Sequence, residues 1–329
     1  MVILLRVGIV GAGNIANTFI DAITRGNLSI CLEAIASRNL SKAKSYQEKY
    51  NIKKAYESYQ ELYEDDEVDL VYVATPHSFH YEQMMEILDY NKHIICEKPF
   101  TLNHKQAKMV FHKAKQKNLF VMEALWTRFL PVIKELKKLV DNKIIGEVQR
   151  VEADFCFSTG LDESHRLRNP YLGGGALLDL GIYCLSFADI FLGTPQSFET
   201  KMKKDLITGV DIDEEIIYKY KNGKVAILTS SIARDKPLLG KIYGDDGLIV
   251  VEEFHQTQKA LIYNKDKKLI KTVEHQHIVN GFEYEILSAI ASIEKGLLED
   301  PHIPHSTSIK ILKQMDQIRE SWGFKYPSE

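Results

Sequence analysis

Through the first 122 residues, short apolar runs alternate with amphipathic stretches. Leu4–Val10, Leu32–Ser37, Leu70–Val73, His93–Cys96 and Phe120–Met122 read as strands buried on both faces. Helical periodicity falls between them, near Ile15–Thr24, Ser41–Tyr50, Tyr59–Tyr63, Phe79–Tyr90 and His104–Lys117. Ser58 and Glu61 have the spacing of a capping box, in which hydroxyl and carboxylate satisfy each other's backbone amides. The order strand, helix, strand predicts a doubly wound parallel sheet over residues 1–122.

Beyond Met122 the period changes. Val151, Ala153, Phe155 and Phe157 alternate with Glu152, Asp154 and Cys156, the pattern of a half-buried strand. Glu215–Tyr220 and Lys224–Ser231 flank Asn222-Gly223, a strong hairpin signal, and Gly244-Asp-Asp-Gly247 predicts a second turn. Helices are predicted at Ala176–Phe191, Phe282–Glu294 and Ser308–Trp322, the last stopping at Gly323. Residues 123–329 therefore read as a separate α+β domain around a largely antiparallel sheet.

The length, 329 residues, is about twice that of a typical domain, which agrees with two. Hydrophobic residues are 45% and charged residues 26%, a balance that excludes disorder and fibrous repeats. With 42 Lys+Arg against 45 Asp+Glu, the net charge of −3 and the lack of a basic block argue against a nucleic-acid or anionic-membrane surface and point to a small-molecule partner. The cysteines, Cys31, Cys96, Cys156 and Cys184, are widely spaced with no C-x-x-C pair, so a reducing cytoplasm is expected. The apolar start Met1–Leu5 is cut by Arg6 and reads as the beginning of a strand rather than a signal peptide. No apolar run approaches the roughly 18 residues of a membrane span.

Candidate chemistry concentrates at strand ends. Gly11-Ala-Gly13-Asn14-Ile15-Ala16 follows the first strand and opens the first helix, the context of a dinucleotide fingerprint. Gly11 permits the turn, Gly13 the approach of a pyrophosphate, and Ala16 close helix packing. The second strand ends in Ala36-Ser37-Arg38 with no acidic residue for ribose hydroxyls. Ser37 and Arg38 suit a 2′-phosphate, so NADP is favoured over NAD. Thr75-Pro76-His77-Ser-Phe-His80 and Glu97-Lys98-Pro99 follow the next strands, where cofactors are bound in such sheets. A glycine run, Gly173–Gly175, leads into an apolar helix carrying Asp179 and Tyr183, four residues apart on one face. His275 and His277 have no third ligand at a recognisable spacing, so no metal site is expected.

The order of these motifs resembles the glucose-fructose oxidoreductase / inositol dehydrogenase (Gfo/Idh/MocA) family over nearly the whole chain. Val121-Met-Glu-Ala-Leu-Trp126-Thr-Arg128 and Leu177–Cys184 further resemble its dimeric dihydrodiol dehydrogenase branch, which includes NADP-dependent D-xylose dehydrogenases. The resemblance implies an N-terminal Rossmann domain, a C-terminal α+β domain with an open-faced, mostly antiparallel sheet, and a homodimer joined through that sheet. It also implies that the nicotinamide lies near Lys98 and that substrate sits between Lys98 and the helix of Asp179 and Tyr183. Many members carry histidine where this chain has Tyr183, which favours the tyrosine branch. In that reading Tyr183 exchanges the hydroxyl proton, Lys98 orients the hydroxyl and stabilises phenolate, and Asp179 keeps the pair in register. Trp126, Arg128, Phe155, Arg168 and Phe282 are the expected substrate contacts. The cofactor set is Gly11, Gly13, Asn14, Ile15, Ser37, Arg38, Thr75, Pro76, His77, His80, Glu97 and Lys98. The expected activity is NADP-dependent hydride transfer to or from a carbinol carbon of a sugar, polyol or trans-dihydrodiol. The alternative is a non-catalytic NADP-binding regulator on the same fold.

Overall fold

The computed structural model describes residues 4–158 and 165–329; Met1–Ile3 of the apolar start lie outside them. The chain divides into two compact units, Met1–Leu125 with His277–Leu312, and Trp126–Gln276 with Lys313–Glu329.

In the first unit the elements follow as β1 (Leu5–Val10), α1 (Asn14–Arg25), β2 (Ile30–Ala36), α2 (Leu40–Tyr50), β3 (Lys54–Tyr56), α3 (Tyr59–Glu64), β4 (Leu70–Val73), α4 (His80–Asp89), β5 (His93–Glu97), α5 (His104–Lys117) and β6 (Val121–Ala124). The strands form one parallel sheet in the order β3-β2-β1-β4-β5-β6, the doubly wound arrangement that the pattern predicted. Its centre is apolar on both faces: Val7, Ile9, Val71, Val73, Ile94 and Ile95 are fully buried. The one strand not anticipated is β3, three half-exposed residues at the sheet edge, too short and too mixed for a periodic signal. The capping box at Ser58 and Glu61 is formed on both sides.

The second unit holds α6 (Pro131–Asp141), β7 (Val148–Cys156), α7 (Ile182–Leu192), β8 (Ser197–Lys204), β9 (Asp211–Lys219), β10 (Val225–Ser231), β11 (Leu239–Gly244), β12 (Gly247–Glu252), β13 (Lys259–Asn264) and β14 (Leu269–Glu274). These strands make an eight-stranded sheet, β14-β13-β12-β11-β7-β10-β9-β8, antiparallel except where β10 runs parallel to β7. Asn222 and Gly223 turn β9 into β10 at φ 65° and 78°, the left-handed conformations their sequence predicted. One face buries Val151, Ala153, Ile216, Leu228, Ile242, Ile249 and Ile262, with α7 packed along β7 and β10. The opposite face carries half-exposed Ile217, Ile227, Val250 and Leu261 around a polar centre. There Tyr243 donates to Glu152 at 2.9 Å, and the Arg150 guanidinium lies 3.9 Å from the Tyr243 ring centroid.

Two expectations change. The helical stretch Pro170–Leu192 is long and apolar enough to cross a membrane by length and composition, with a mean hydropathy of 1.7, which the sequence reading did not anticipate. Since 83% of its most apolar window is buried inside the protein, it serves here as a core helix. The second domain, read as continuous over 123–329, is interrupted: α8 (Phe282–Glu294) and the first part of α9 (His305–Ser321) belong to the first unit. Long-range contacts hold them there. Asn280 Nδ2 donates to the Thr18 carbonyl at 2.9 Å, Val121 N to the Leu298 carbonyl at 3.1 Å, and Ser308 Oγ to Glu123 at 2.5 Å.

Candidate active site

In the first unit the glycine loop joins β1 to α1. Gly11 adopts φ +100°, and a Cβ on it would lie 2.8 Å from the Ala74 carbonyl oxygen, so both conformation and space exclude other residues. Gly13 differs: its backbone is extended, and a Cβ there would meet only the Ala74 oxygen at 3.9 Å. The protein itself has room for a side chain at 13, so the space in front of it is available to a ligand backbone. Tyr46, from α2, donates its hydroxyl to the Gly13 carbonyl at 3.0 Å and fixes the loop. No side chain caps the N-terminus of α1 and no acid stands in its first turn, which leaves helix amides and the positive end of the dipole to an anion. This cradle fits a dinucleotide pyrophosphate, which the amides of Asn14 and Ile15 would meet.

At the end of β2, Ser37 is buried and Arg38 exposed, its guanidinium 5.6 Å from the Phe79 ring centroid. The carboxylate on β2, Glu33, points elsewhere and pairs with Lys53 at 2.6 Å. Thr75 donates to Gln83 at 2.6 Å, and Pro76 and His77 lead into α4.

The segment around Lys98 is clamped on both sides. Tyr72 donates to Glu97 at 2.5 Å, His80 Nδ1 lies 3.0 Å from the Pro99 carbonyl, and Phe100 N donates to Glu123 at 2.9 Å. Lys98 stays half-buried between buried neighbours. Two residues expected to touch cofactor are used differently. Glu97 faces inward to Tyr72. The His80 ring is fully buried, and its Nε2 sits 2.8 Å from the Thr75 carbonyl, so it ties the loop after β4 to the loop after β5. Burial, with neighbouring His77 adding to it, pushes the His80 pKa down to about 4, so the clamp is a neutral imidazole.

In the second unit Asp179 stands within a π-helical turn, Leu177–Gly181, and Tyr183 in the first turn of α7. The carboxylate of Asp179 is paired with Arg166, whose two terminal nitrogens lie 3.3 Å from Oδ1. The Tyr183 oxygen accepts from Trp126 Nε1 at 3.1 Å. Phe155 stands 5.4 Å from the Tyr183 ring and 4.2 Å from His255, giving a wall of Trp126, Phe155, Tyr183 and His255.

The two arginines expected at the substrate have carboxylate partners within the protein. Arg128 turns inward to Ser186 Oγ at 2.9 Å and Asp189 at 2.7 Å, with its side chain only 10% exposed. Arg168 pairs with Asp205. Arg166, two residues earlier, is the arginine that reaches Asp179. Phe282 opens α8 in the first unit and is buried there. Sequence reasoning did not select Tyr46 or His255, and it named Arg166 only with His165 and Arg168, in the loop before the glycine run that the family resemblance places at the substrate cleft. Tyr46 and His255 carry no local sequence signal, because their partners lie far along the chain. Among the described residues no cluster of three or more metal-ligating side chains occurs.

The family model described as oxidoreductase family, NAD-binding Rossmann fold (GFO_IDH_MocA), matches residues 5–125, and the GFO/IDH/MocA C-terminal domain matches residues 133–250. A trans-1,2-dihydrobenzene-1,2-diol dehydrogenase of Xenopus laevis is 35% identical over 327 residues, covering 97% of this chain and 98% of its own. A scyllo-inositol 2-dehydrogenase (NADP(+)) of Bacillus subtilis (strain 168) is 30% identical over 332 residues, covering 99% of each. Among solved structures, a 3-ketoreductase from Actinomadura kijaniata in complex with NADP and TDP-benzene superposes with a TM-score of 0.87 at 25% identity, over 96% of this chain and 97% of its own.

Proposed function

From the premise that the chain belongs to the GFO/IDH/MocA oxidoreductase family and acts on CH–OH groups, we propose that it is an NADP-dependent dehydrogenase of a cyclic diol or polyol. When bound, the nicotinamide supplies the hydride acceptor or donor. The chain does the rest. Tyr183 exchanges the proton of the reacting hydroxyl, Lys98 orients that oxygen and favours the phenolate by its charge, and Asp179, held by Arg166, fixes the turn that carries Tyr183.

The observation that carries the reading is the Trp126 N–H on the Tyr183 oxygen. A donor set on that oxygen gains strength as negative charge develops there, which is what a proton-exchanging phenol needs. The aromatic wall around it favours a ring substrate with an apolar face, in keeping with the relative named for a dihydrobenzene diol. Exposed Arg38 beside Ser37, with no strand-end acid, supports NADP over NAD. The half-exposed aliphatic residues of the second unit's sheet support a homodimer through that face. The cysteine spacing supports the cytoplasm. A panel of trans-diols, inositols and aldoses, followed by NADPH absorbance, tests the activity; turnover of none of them while NADPH binds would replace it with the regulator reading.

A further inference from the structure

Beneath the π-helical turn lie two buried carboxyls that the proton-exchange reading does not use. Asp211 and Glu214 are three residues apart on β9, a spacing that ordinarily points side chains to opposite faces of a strand. A register shift against β8 at Lys203/Lys204 turns both inward, and each is 1% exposed. Asp211 Oδ2 accepts from Leu177 N, the first residue of the turn, at 2.6 Å. Glu214 Oε1 accepts from Ser230 Oγ. The other oxygen of each carboxyl, Asp211 Oδ1 and Glu214 Oε2, has no donor.

The turn is fitted to the pair at both ends. Gly175 has φ +118°, and a Cβ there would fall 2.3 Å from Asp211 Oδ1. A Cβ on Gly181 would fall 2.9 Å from Ser230 Oγ and 3.4 Å from Glu214 Oε1. Asp179 lies between these two contacts and Tyr183 two residues beyond the second.

We propose that Asp211 and Glu214 share a single proton, carried by Glu214 and donated to Asp211, and that this bridge is a positioning pair holding the turn so that Asp179 and Tyr183 stand in register. One proton converts two buried, donorless oxygens into one hydrogen bond. The assignment of charge follows from the surroundings. Asp211 takes a backbone N–H and faces the Arg319 guanidinium, whereas Glu214 faces Asp211 and Asp213, so Glu214 is the protonated member. Burial raises both carboxyls, Glu214 well above its ordinary value, and the other ionisable groups facing the pair are Tyr326 and the Cys184 thiol, both themselves raised by burial.

The inference rests on the dehydrogenase reading for its effect on turnover, but not for the proton. Glu214→Gln keeps a donor toward Asp211 and an acceptor toward Ser230; Glu214→Leu keeps the approximate shape and removes both. Infrared difference spectra of wild type and E214Q at neutral pH should show the C=O stretch of a protonated carboxyl in wild type alone. On an accepted substrate, kcat of E214Q should stay within about twofold of wild type, while that of E214L falls by about 10²-fold with substrate KM and NADPH Kd unchanged. Absence of the band, E214Q as impaired as E214L, or full kcat in E214L would each overturn the proposal. If E214L fails to fold, the band and the E214Q kinetics decide it. The band present without turnover of any substrate retires the dehydrogenase reading and leaves the shared proton standing; an active enzyme without the band retires the shared proton alone.

Discussion

Replacing Tyr183 by Phe deletes one oxygen and leaves the ring on Phe155, 5.4 Å away. If that oxygen exchanges the substrate proton, turnover falls by about 10²–10⁴-fold. The structure allows part of this loss to be assigned. The Trp126 N–H, 3.1 Å from the oxygen, is a hydrogen bond to a group that becomes charged, worth about 1.5–3 kcal/mol or roughly 10–150-fold in rate. Trp126→Phe should therefore lower kcat by that smaller factor. Because Trp126 acts through the phenol oxygen, the double variant should be no slower than Tyr183→Phe alone. The NADPH Kd should stay constant across the set, since the cofactor loop is built wholly within the other unit. Stopped-flow single turnovers for the rate and calorimetry for the cofactor make the comparison. If Trp126→Phe costs the same factor in the Tyr183→Phe background as in wild type, Trp126 touches substrate instead, and the mechanism drawn from this hydrogen bond is wrong.

Arg38→Ala should erase most of the preference for NADPH over NADH, a loss of about 10–150-fold in NADPH affinity measured by titration; equal binding of both cofactors by wild type would refute the 2′-phosphate assignment. Lys98→Met should lower turnover by about 10²–10⁴-fold with cofactor affinity nearly unchanged, and Lys98→Arg should not restore it, because a planar guanidinium cannot occupy the ammonium's position. Glu285 is fully buried, with neither carboxyl oxygen holding a donor and with Glu97 nearby, so its pKa is raised well above the ordinary value and the folded chain keeps it protonated. The stability that depends on its proton is complete below the ordinary carboxylate range and is lost as pH rises through the raised folded pKa. Glu285→Gln should accordingly raise Tm at pH 7 and leave it unchanged near pH 4; equal Tm values at both would show the group to be ionised. Ile227→Asp, on the open face of the second unit's sheet, should shift the mass seen by light scattering from dimer to monomer, and a wild-type mass near 37.7 kDa would dispose of the dimer.

Parallel strands such as Val7–Val10 and Leu70–Val73 announce themselves because burial on both faces leaves unbroken apolar runs. Local motifs were equally legible: the glycine loop, the capping box and the Asn222-Gly223 turn depend on neighbours a few residues away. What the sequence hid depends on distance along the chain. Arg128 and Arg168 looked available until their partners, Asp189 and Asp205, appeared 61 and 37 residues on. The pairing of Asp211 with Glu214 depends on a register shift that no alternation of polar and apolar residues encodes. Asp179 and Tyr183, placed on one face by their spacing, take Arg166 and Trp126 as hydrogen-bond partners from elsewhere in the second unit.

Each of the two units is assembled from an early and a late stretch of chain. A ribosome releasing this protein from its N-terminus therefore exposes the first nucleotide-binding sheet long before residues 277–312 emerge to cover α1 and border β6. The second sheet waits for Tyr326, whose hydroxyl donates to the Gly174 carbonyl at 2.6 Å beside the turn that carries Asp179. Neither unit closes until its late segment, 277–312 for the first and 313–329 for the second, has left the ribosome, so a gene cut between the early and late stretches would strand a piece of each.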